Sequence, residues 1–279
     1  MTKNQNNFFC QVLTVALSLW LPSAWAMPIS SNVPGGIALL LVGTAPEPAP
    51  QVWFQGKRVL VARETSGWRA VVGIPLETEA GRYQVRIQGR GGERMADFEV
   101  RPKTYPAQRL TIKNRRMVTP DPEDEERIAQ EQGIIGRAKS HWRDAGSVDI
   151  DLATPARGPF TSPFGLRRFF NGQARNPHSG LDIAVPRGAP VSSSAAGNVL
   201  LTGNFFFNGK TVFVDHGQGL ITMYCHLDAI DVREGESVRR GQPLGLSGMT
   251  GRATGPHLHW SVMLNGAMVD PKLFVAGAP

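Results

Sequence analysis

The feature that most constrains the fold is punctuation. Between Ile37 and Val100 the chain is cut into short β-rich runs, Ile37 to Val42, Val52 to Phe54, Arg58 to Val61, Trp68 to Val72, Tyr83 to Ile87 and Asp97 to Val100. The breaks hold turn residues: Gly56, Gly67, Pro75, Gly81 and Gly89-Arg90-Gly91-Gly92. Runs of this length and spacing predict an antiparallel, immunoglobulin-like β-sandwich. The same punctuation continues to the C-terminus, since the 279 residues include 31 Gly and 21 Pro. Helix interiors tolerate neither residue well, so a helical bundle is excluded. With 41% hydrophobic and 19% charged residues the chain is not disordered, and its length suits two folding units.

The first 26 residues read as a targeting segment. Lys3 precedes an almost unbroken apolar run from Phe8 to Leu21, and Ala24-Trp25-Ala26 supplies an A-x-A cleavage site. The run is shorter than the ~20 residues of a membrane span. A secretory signal cut after Ala26 is therefore expected, with a periplasmic or otherwise exported product starting at Met27 and no membrane span after cleavage. Cys10 leaves with the signal, so Cys225 stands alone without a disulfide partner. Removing Lys3 lowers the formal net charge from +7 to +6, which favours polyanionic surroundings in general. No basic patch interleaved with aromatics is present, so nucleic acid is not an expected partner.

A helix is expected over about 121–143. Asp121 can cap it, Pro122 suits its first position, and Glu123 to Glu126 complement the positive end of the helix dipole. Ile128, Ile135, Ala138 and Trp142 recur near helical spacing, and Arg137, Lys139 and Arg143 lie at the far end. Such a stripe docks on a neighbouring domain of its own chain.

From about Thr154 onward the sequence is again β-patterned, with strands expected at Gly197 to Thr202, Thr211 to Asp215, Leu220 to Cys225, Pro243 to Ser247 and Leu258 to Leu264. Four of the six His fall into three motifs here: His178-Ser179-Gly180-Leu181-Asp182, Tyr224-Cys225-His226-Leu227 and Gly255-Pro256-His257-Leu258-His259-Trp260. Pro177 and Gly180 disfavour a helix, and in an extended chain His178 and Asp182 project to one side. His257 and His259 likewise share a face, with Leu258 turned to the core. Imidazole and carboxylate suit Zn²⁺, which takes three protein ligands in catalytic sites. Two His and one Asp would form such a set and leave two imidazoles for proton transfer and oxyanion stabilisation. The helix-borne H-E-x-x-H motif is absent. His216 has no motif partner and reads as a structural residue.

At these residues the sequence from about Thr154 onward resembles the lysostaphin/LytM-type zinc metallopeptidases, whose signature joins H-x-x-x-D to Y-x-H-L and G-P-H-L-H. The similarity runs from about Ser162 to Phe274 and includes Ser162-Pro163-Phe164-Gly165, Thr250-Gly251-Arg252 and Asp270-Pro271. The β-rich N-terminal stretch and the expected helix also resemble the N-terminal region of a bacterial subgroup of these enzymes, at Pro34-Gly35-Gly36, Trp68 to Leu76 and Arg115 to Val118.

The resemblance implies one zinc ion held by His178, Asp182 and His259, with His257 as general base and His226 polarising the scissile carbonyl, although the sequence leaves open which of the two imidazoles takes which role. It implies hydrolysis of peptidoglycan cross-links or stem peptides. The alternative is a non-catalytic LytM-type activator of a wall amidase, or a wall-binding module. Such regulators typically lack metal or catalytic residues, and all five are present here. The expected organisation is a signal over 1–26, a β-sandwich over 27–113, a linker over 114–153 carrying the helix, and a Gly-rich antiparallel peptidase domain over 154–279. The sandwich would serve a regulatory protein partner, or mask or target the active site. Two positions depart from the family pattern: Cys225 precedes His226 where Ala is common, and Ser261 follows Trp260 where an acid is frequent. Strand alternation predicts that Cys225 points into the core, away from His226. A free thiol near zinc would make the enzyme oxidant-sensitive.

Overall fold

The computed structural model describes residues 27–275. The signal segment expected over 1–26, Cys10 included, lies outside them. The described chain is mostly β with one α-helix: a large antiparallel sheet unit preceded by a smaller β-rich unit.

Seven strands form that first unit: β1 (Ile37–Thr44), β2 (Gln51–Phe54), β3 (Lys57–Arg58), β4 (Leu60–Glu64), β5 (Gly67–Gly73), β6 (Gly81–Gly89) and β7 (Gly92–Val100). They make two antiparallel sheets, β1-β5-β4 and β3-β2-β6-β7. Ala38, Val42, Ala70 and Val72 from the first sheet meet Val52, Phe54, Val85, Ile87 and Phe98 from the second in one apolar core. The opposite face of β1-β5-β4 is also covered. Ile37, Leu60 and Val71 are fully buried in the core of the C-terminal unit, beside Trp260 and Leu264. Polar bonds reinforce that junction: Asn265 accepts from Gly73 N (2.7 Å) and donates to Gly73 O (3.0 Å), and Gln218 accepts from Val61 N (2.9 Å).

The connecting segment is shared between units. β8 (Ala107–Leu110), inside the span expected to belong to the sandwich, instead runs parallel to β10 (Arg167–Phe170), and β11 (Gln173–Ala174) completes that small sheet after β9 (Phe160–Ser162). The helix α1 covers Pro122–Lys139. It begins as expected, with Asp124 accepting from Asp121 N (3.3 Å) and from Arg116 Nη2 (2.7 Å). It ends four residues before the expected limit, at Ser140, whose hydroxyl donates back to Gly136 O (3.0 Å). Trp142 is thus not on the helix face; its ring packs under the Arg58 guanidinium, 4.8 Å away. Ile135 and Ala138 of α1 do dock, on Phe205, Phe213, Ile221, Met223 and Met263.

The remaining strands are β12 (Leu181–Ile183), β13 (Pro190–Ser192), β14 (Gly197–Phe205), β15 (Gly209–Gly217), β16 (Leu220–Ile230), β17 (Ser237–Val238), β18 (Pro243–Ser247), β19 (Leu258–Leu264) and β20 (Ala267–Val269). Their main path runs β17-β14-β15-β16-β19-β12-β9, all antiparallel, with β18 and β20 paired at its sides. This sheet is what positions the site. β16 and β12 flank β19, so His259 lies opposite Cys225 on one side and Asp182 on the other.

Candidate metal centre and active site

Three donor atoms converge where β12 meets β19. His178 Nε2 lies 2.9 Å from Asp182 Oδ1 and 2.9 Å from His259 Nδ1, and His259 Nδ1 lies 2.8 Å from Asp182 Oδ1. All three residues are buried. The carbonyl of Pro163 can only accept, so His178 Nδ1, 2.8 Å away, carries that ring's proton and Nε2 presents a lone pair. His259 is oriented from behind in the same way by Ser261 Oγ, 3.0 Å from its Nε2. A single proton can bridge one pair of these atoms. Holding three acceptors at mutual contact needs a cation that touches all three, and two imidazoles with a carboxylate form a donor set for a transition-metal ion. The residues therefore fit a metal.

Burial alone would raise the Asp182 pKa, but hydrogen bonds to His178 and His259 outweigh it and hold this carboxyl well below the usual range. Burial pushes His259 down to about 4, which favours the neutral, metal-ligating form.

His226 and His257 stand beside the triad. Their ring centroids are 4.8 Å apart, His226 lies 6.0 Å from the His259 ring, and His257 Nε2 is 3.9 Å from Asp182 Oδ1. Each is fixed through Nδ1–H by a main-chain carbonyl at 2.8 Å, Thr250 O for His226 and Gly255 O for His257. Both therefore present Nε2 as a proton acceptor. Burial, followed by the neighbouring His257 and His259, pushes His226 down to about 3. His226 has φ +64°, an uncommon conformation for a residue with a Cβ, at an irregularity in the β15–β16 register.

That irregularity corrects one expectation. Regular alternation would aim Cys225 and His226 to opposite faces, yet both line the same cleft because the left-handed residue turns the ring back. Cys225 is nonetheless a core residue, 1% exposed among Ala138, Phe213 and Met223, and burial pushes its thiol up to about 12. His216 lies apart from the site. Its Nδ1 donates to Ala196 O (2.8 Å), and its Nε2 meets Thr222 Oγ1 (2.8 Å) in a buried network that continues to Tyr224 and Ser194.

The structure brings all five expected site residues together and gives roles to others outside the three His motifs. Arg168 Nη2 is 3.3 Å from Asp182 Oδ2, the oxygen turned away from the two imidazoles. Pro163 and Ser261 orient ligands, as described above. A cleft of about 420 Å³ and another of about 290 Å³ flank the cluster and share Arg168, His226, Arg252 and His259. One face of α1, with Ile128, Glu131 and Ile135, walls the larger cleft.

Residues 30–103 match the Peptidase family M23 N-terminal domain and residues 176–271 match Peptidase family M23. The crystal structure of a Pseudomonas aeruginosa protein assigned to peptidase M23 aligns with 88% of this chain and 96% of that one, at 44% identity and a TM-score of 0.74. The chain belongs to the M23 peptidase family. Among curated M23-like relatives, peptidoglycan DD-endopeptidase ShyA of Vibrio cholerae is 47% identical over 94 residues, 34% of this chain and 22% of ShyA. The DD-carboxypeptidase/endopeptidase Mpg of Neisseria meningitidis is 41% identical over 129 residues, 46% of this chain and 29% of Mpg. The match thus spans less than a third of either curated relative. Among the described residues no helix is long and apolar enough to cross a membrane.

Proposed function

We propose that this M23 chain is an exported, periplasmic zinc metalloendopeptidase that hydrolyses peptide bonds of peptidoglycan cross-links or stem peptides. The observation that carries the reading is the convergence of five groups: His178, Asp182 and His259 as metal ligands, with the free Nε2 atoms of His226 and His257 beside them. The names of ShyA and Mpg support the substrate class. A signal over 1–26 fits export.

Zinc, when bound, supplies Lewis acidity and lowers the pKa of water toward neutrality. The chain supplies the proton handling. His257 is the less buried of the two free imidazoles and sits nearer Asp182, so its Nε2 takes the proton and later returns it to the leaving amine. His226 stabilises the oxyanion. Its Nδ1–H is committed to Thr250, so it does this only with a second proton on Nε2, taken up from solvent; burial disfavours that proton in the resting site and the developing oxyanion favours it. Arg168 holds Asp182 from behind and keeps its other oxygen toward the imidazoles.

Incubating purified protein starting at Met27 with isolated sacculi, with and without chelator, tests the reading. Chelator-sensitive release of muropeptides, identified by mass, is expected. Absence of such products from every wall type tested rejects it.

A further inference from the structure

The two clefts beside the metal centre share a cation that has no acid of its own. Arg252 follows Thr250, whose carbonyl fixes His226, by two residues. The Arg252 main-chain N–H donates to Phe207 O (2.8 Å), while that of His226 donates to the adjacent Asn208 O (2.9 Å). The two loops are clamped together there. A Cβ on Gly251 would lie 2.3 Å from Gly209 N, and a Cβ on Gly209 would lie 2.3 Å from Thr250 Oγ1, so only glycine permits the approach. Arg252 is therefore mounted on the same rigid block as His226.

Its side chain is pre-positioned as well. The guanidinium lies 4.2 Å from the Phe207 ring centroid and 4.9 Å from that of Phe170. Stacking of this kind occupies the faces of the plane and leaves its N–H edge for in-plane acceptors. Among the described residues the hydrogen-bond acceptor for that edge is Met117 O, 3.4 Å from Nη1, and no carboxylate forms an ion pair with it. The charges close to it have the same sign: burial first, then Arg168 and Arg175, push its pKa down to about 10. The acids in the clefts are engaged elsewhere. Asp182 faces the imidazoles and Arg168, and Glu131 accepts from Arg127 Nε and Phe206 N, each at 2.7 Å. Arg168 adds a buried Nε with no partner.

A stacked, unpaired guanidinium beside the reacting centre calls for a planar anion, and a carboxylate matches its fork. We propose that Arg252 is a specificity residue that binds the free carboxylate of the residue supplying the leaving amine. This rests on the peptidase reading and narrows it to peptides in which the carbon bearing the scissile nitrogen also bears a carboxylate. A D-alanyl bond to a second D-residue has that arrangement.

The test uses two probes, a D-alanyl-D-alanine peptide with a free C-terminal carboxylate and its C-terminal carboxamide. Each is titrated calorimetrically into the zinc-loaded full protein, as wild type, Arg252→Gln and Arg252→Lys. The wild type is expected to bind the carboxylate form on the order of tenfold more tightly, because one charge-assisted bond is at stake. Arg252→Gln should bring the ratio to about one, and Arg252→Lys should leave it intermediate because the charge remains without the fork. A wild-type ratio of one overturns the proposal whether or not the variants fold. A ratio that persists in Arg252→Gln overturns it too. Mass analysis of the peptides and of sacculi afterwards reports turnover separately. A carboxylate preference without any cleavage would reject the peptidase reading while keeping the Arg252 assignment, and cleavage without preference would do the reverse.

Discussion

Replacing Gly180 with Ala should damage the metal site through a single methyl group. Gly180 lies between His178 and Asp182, is buried, and does not adopt the left-handed backbone that would itself penalise Ala. Space is the whole issue. A Cβ there would stand 2.4 Å from Trp260 O, 2.5 Å from Ser261 Oγ and 2.8 Å from His259 Cε1. Two carbons make contact at about 3.5 Å, so the His259 ring or the 178–182 segment must move by roughly 0.7 Å. Metal ligands tolerate about 0.2 Å and a preorganised site about 0.5 Å, so the three donors would no longer meet at one point. Disturbing the groups that orient a ligand typically costs 10–100-fold in metal affinity, and overpacking costs about 1–3 kcal/mol of stability. For a chain this long that is roughly 2–12 °C in Tm. Competition with a chromogenic zinc chelator, alongside thermal melts of the metal-free protein, reads both quantities. Gly146→Ala, where nothing lies within 4 Å of the new methyl, is the control. A zinc affinity within twofold of wild type would refute the reasoning. Lost stability with unchanged affinity would show that the Trp260 side of β19 absorbs the strain.

Three further outcomes are expected. His178→Ala should lose zinc by metal analysis because one of three ligands is gone, whereas His257→Ala should keep zinc and lose hydrolysis; two fully loaded variants would undo the ligand assignment. His216 should make stability fall in acid. Burial lowers its folded pKa to about 4 from an unfolded value near 6.5, so the unfolded chain binds the extra proton first, and stability present above pH 6.5 is lost as pH falls through 6.5 toward 4, by about 3 kcal/mol. A pH series of urea melts in which His216→Gln keeps the wild-type slope across that window contradicts this. Oxidant sensitivity through Cys225 is not expected, since the thiolate is the reactive form and this thiol is buried and pushed up to about 12. Peroxide should inactivate wild type and Cys225→Ala at equal rates, and protection by the substitution would reverse that view.

The legible part of this site is the part carried by short extended segments. His178 with Asp182, and His257 with His259, are spaced so that a strand period alone brings each pair to one side. What closes the site is not local. Asp182 and His259 meet because β12 registers against β19, 77 residues apart in sequence, and Arg168 arrives from a different sheet. Spacing rules carry no information on such pairings. His226 also escaped the strand period, since a left-handed residue at a register shift reverses the side to which it points, and a His at that position looks like any other strand residue. The expected helix overruns the observed one because Trp142 falls at helical spacing from Ala138, although its ring serves Arg58 instead. One missed feature did have a signal. A sandwich strand with one wet face should alternate, yet Ile37-Ala38-Leu39-Leu40-Leu41-Val42 is continuously apolar, as strands covered on both faces are. Ile37 turned away from the sandwich core, with Leu60 and Val71, is fully buried against the peptidase unit. The first sheet is thereby part of two cores. Swinging the sandwich aside would expose three fully buried aliphatic side chains on its own surface alone, each worth about 1.5–3 kcal/mol. A masking mechanism based on a free hinge at the sandwich therefore has to overcome that cost, whereas α1, which walls the larger cleft and docks mainly through Ile135 and Ala138, could shift with far less apolar exposure.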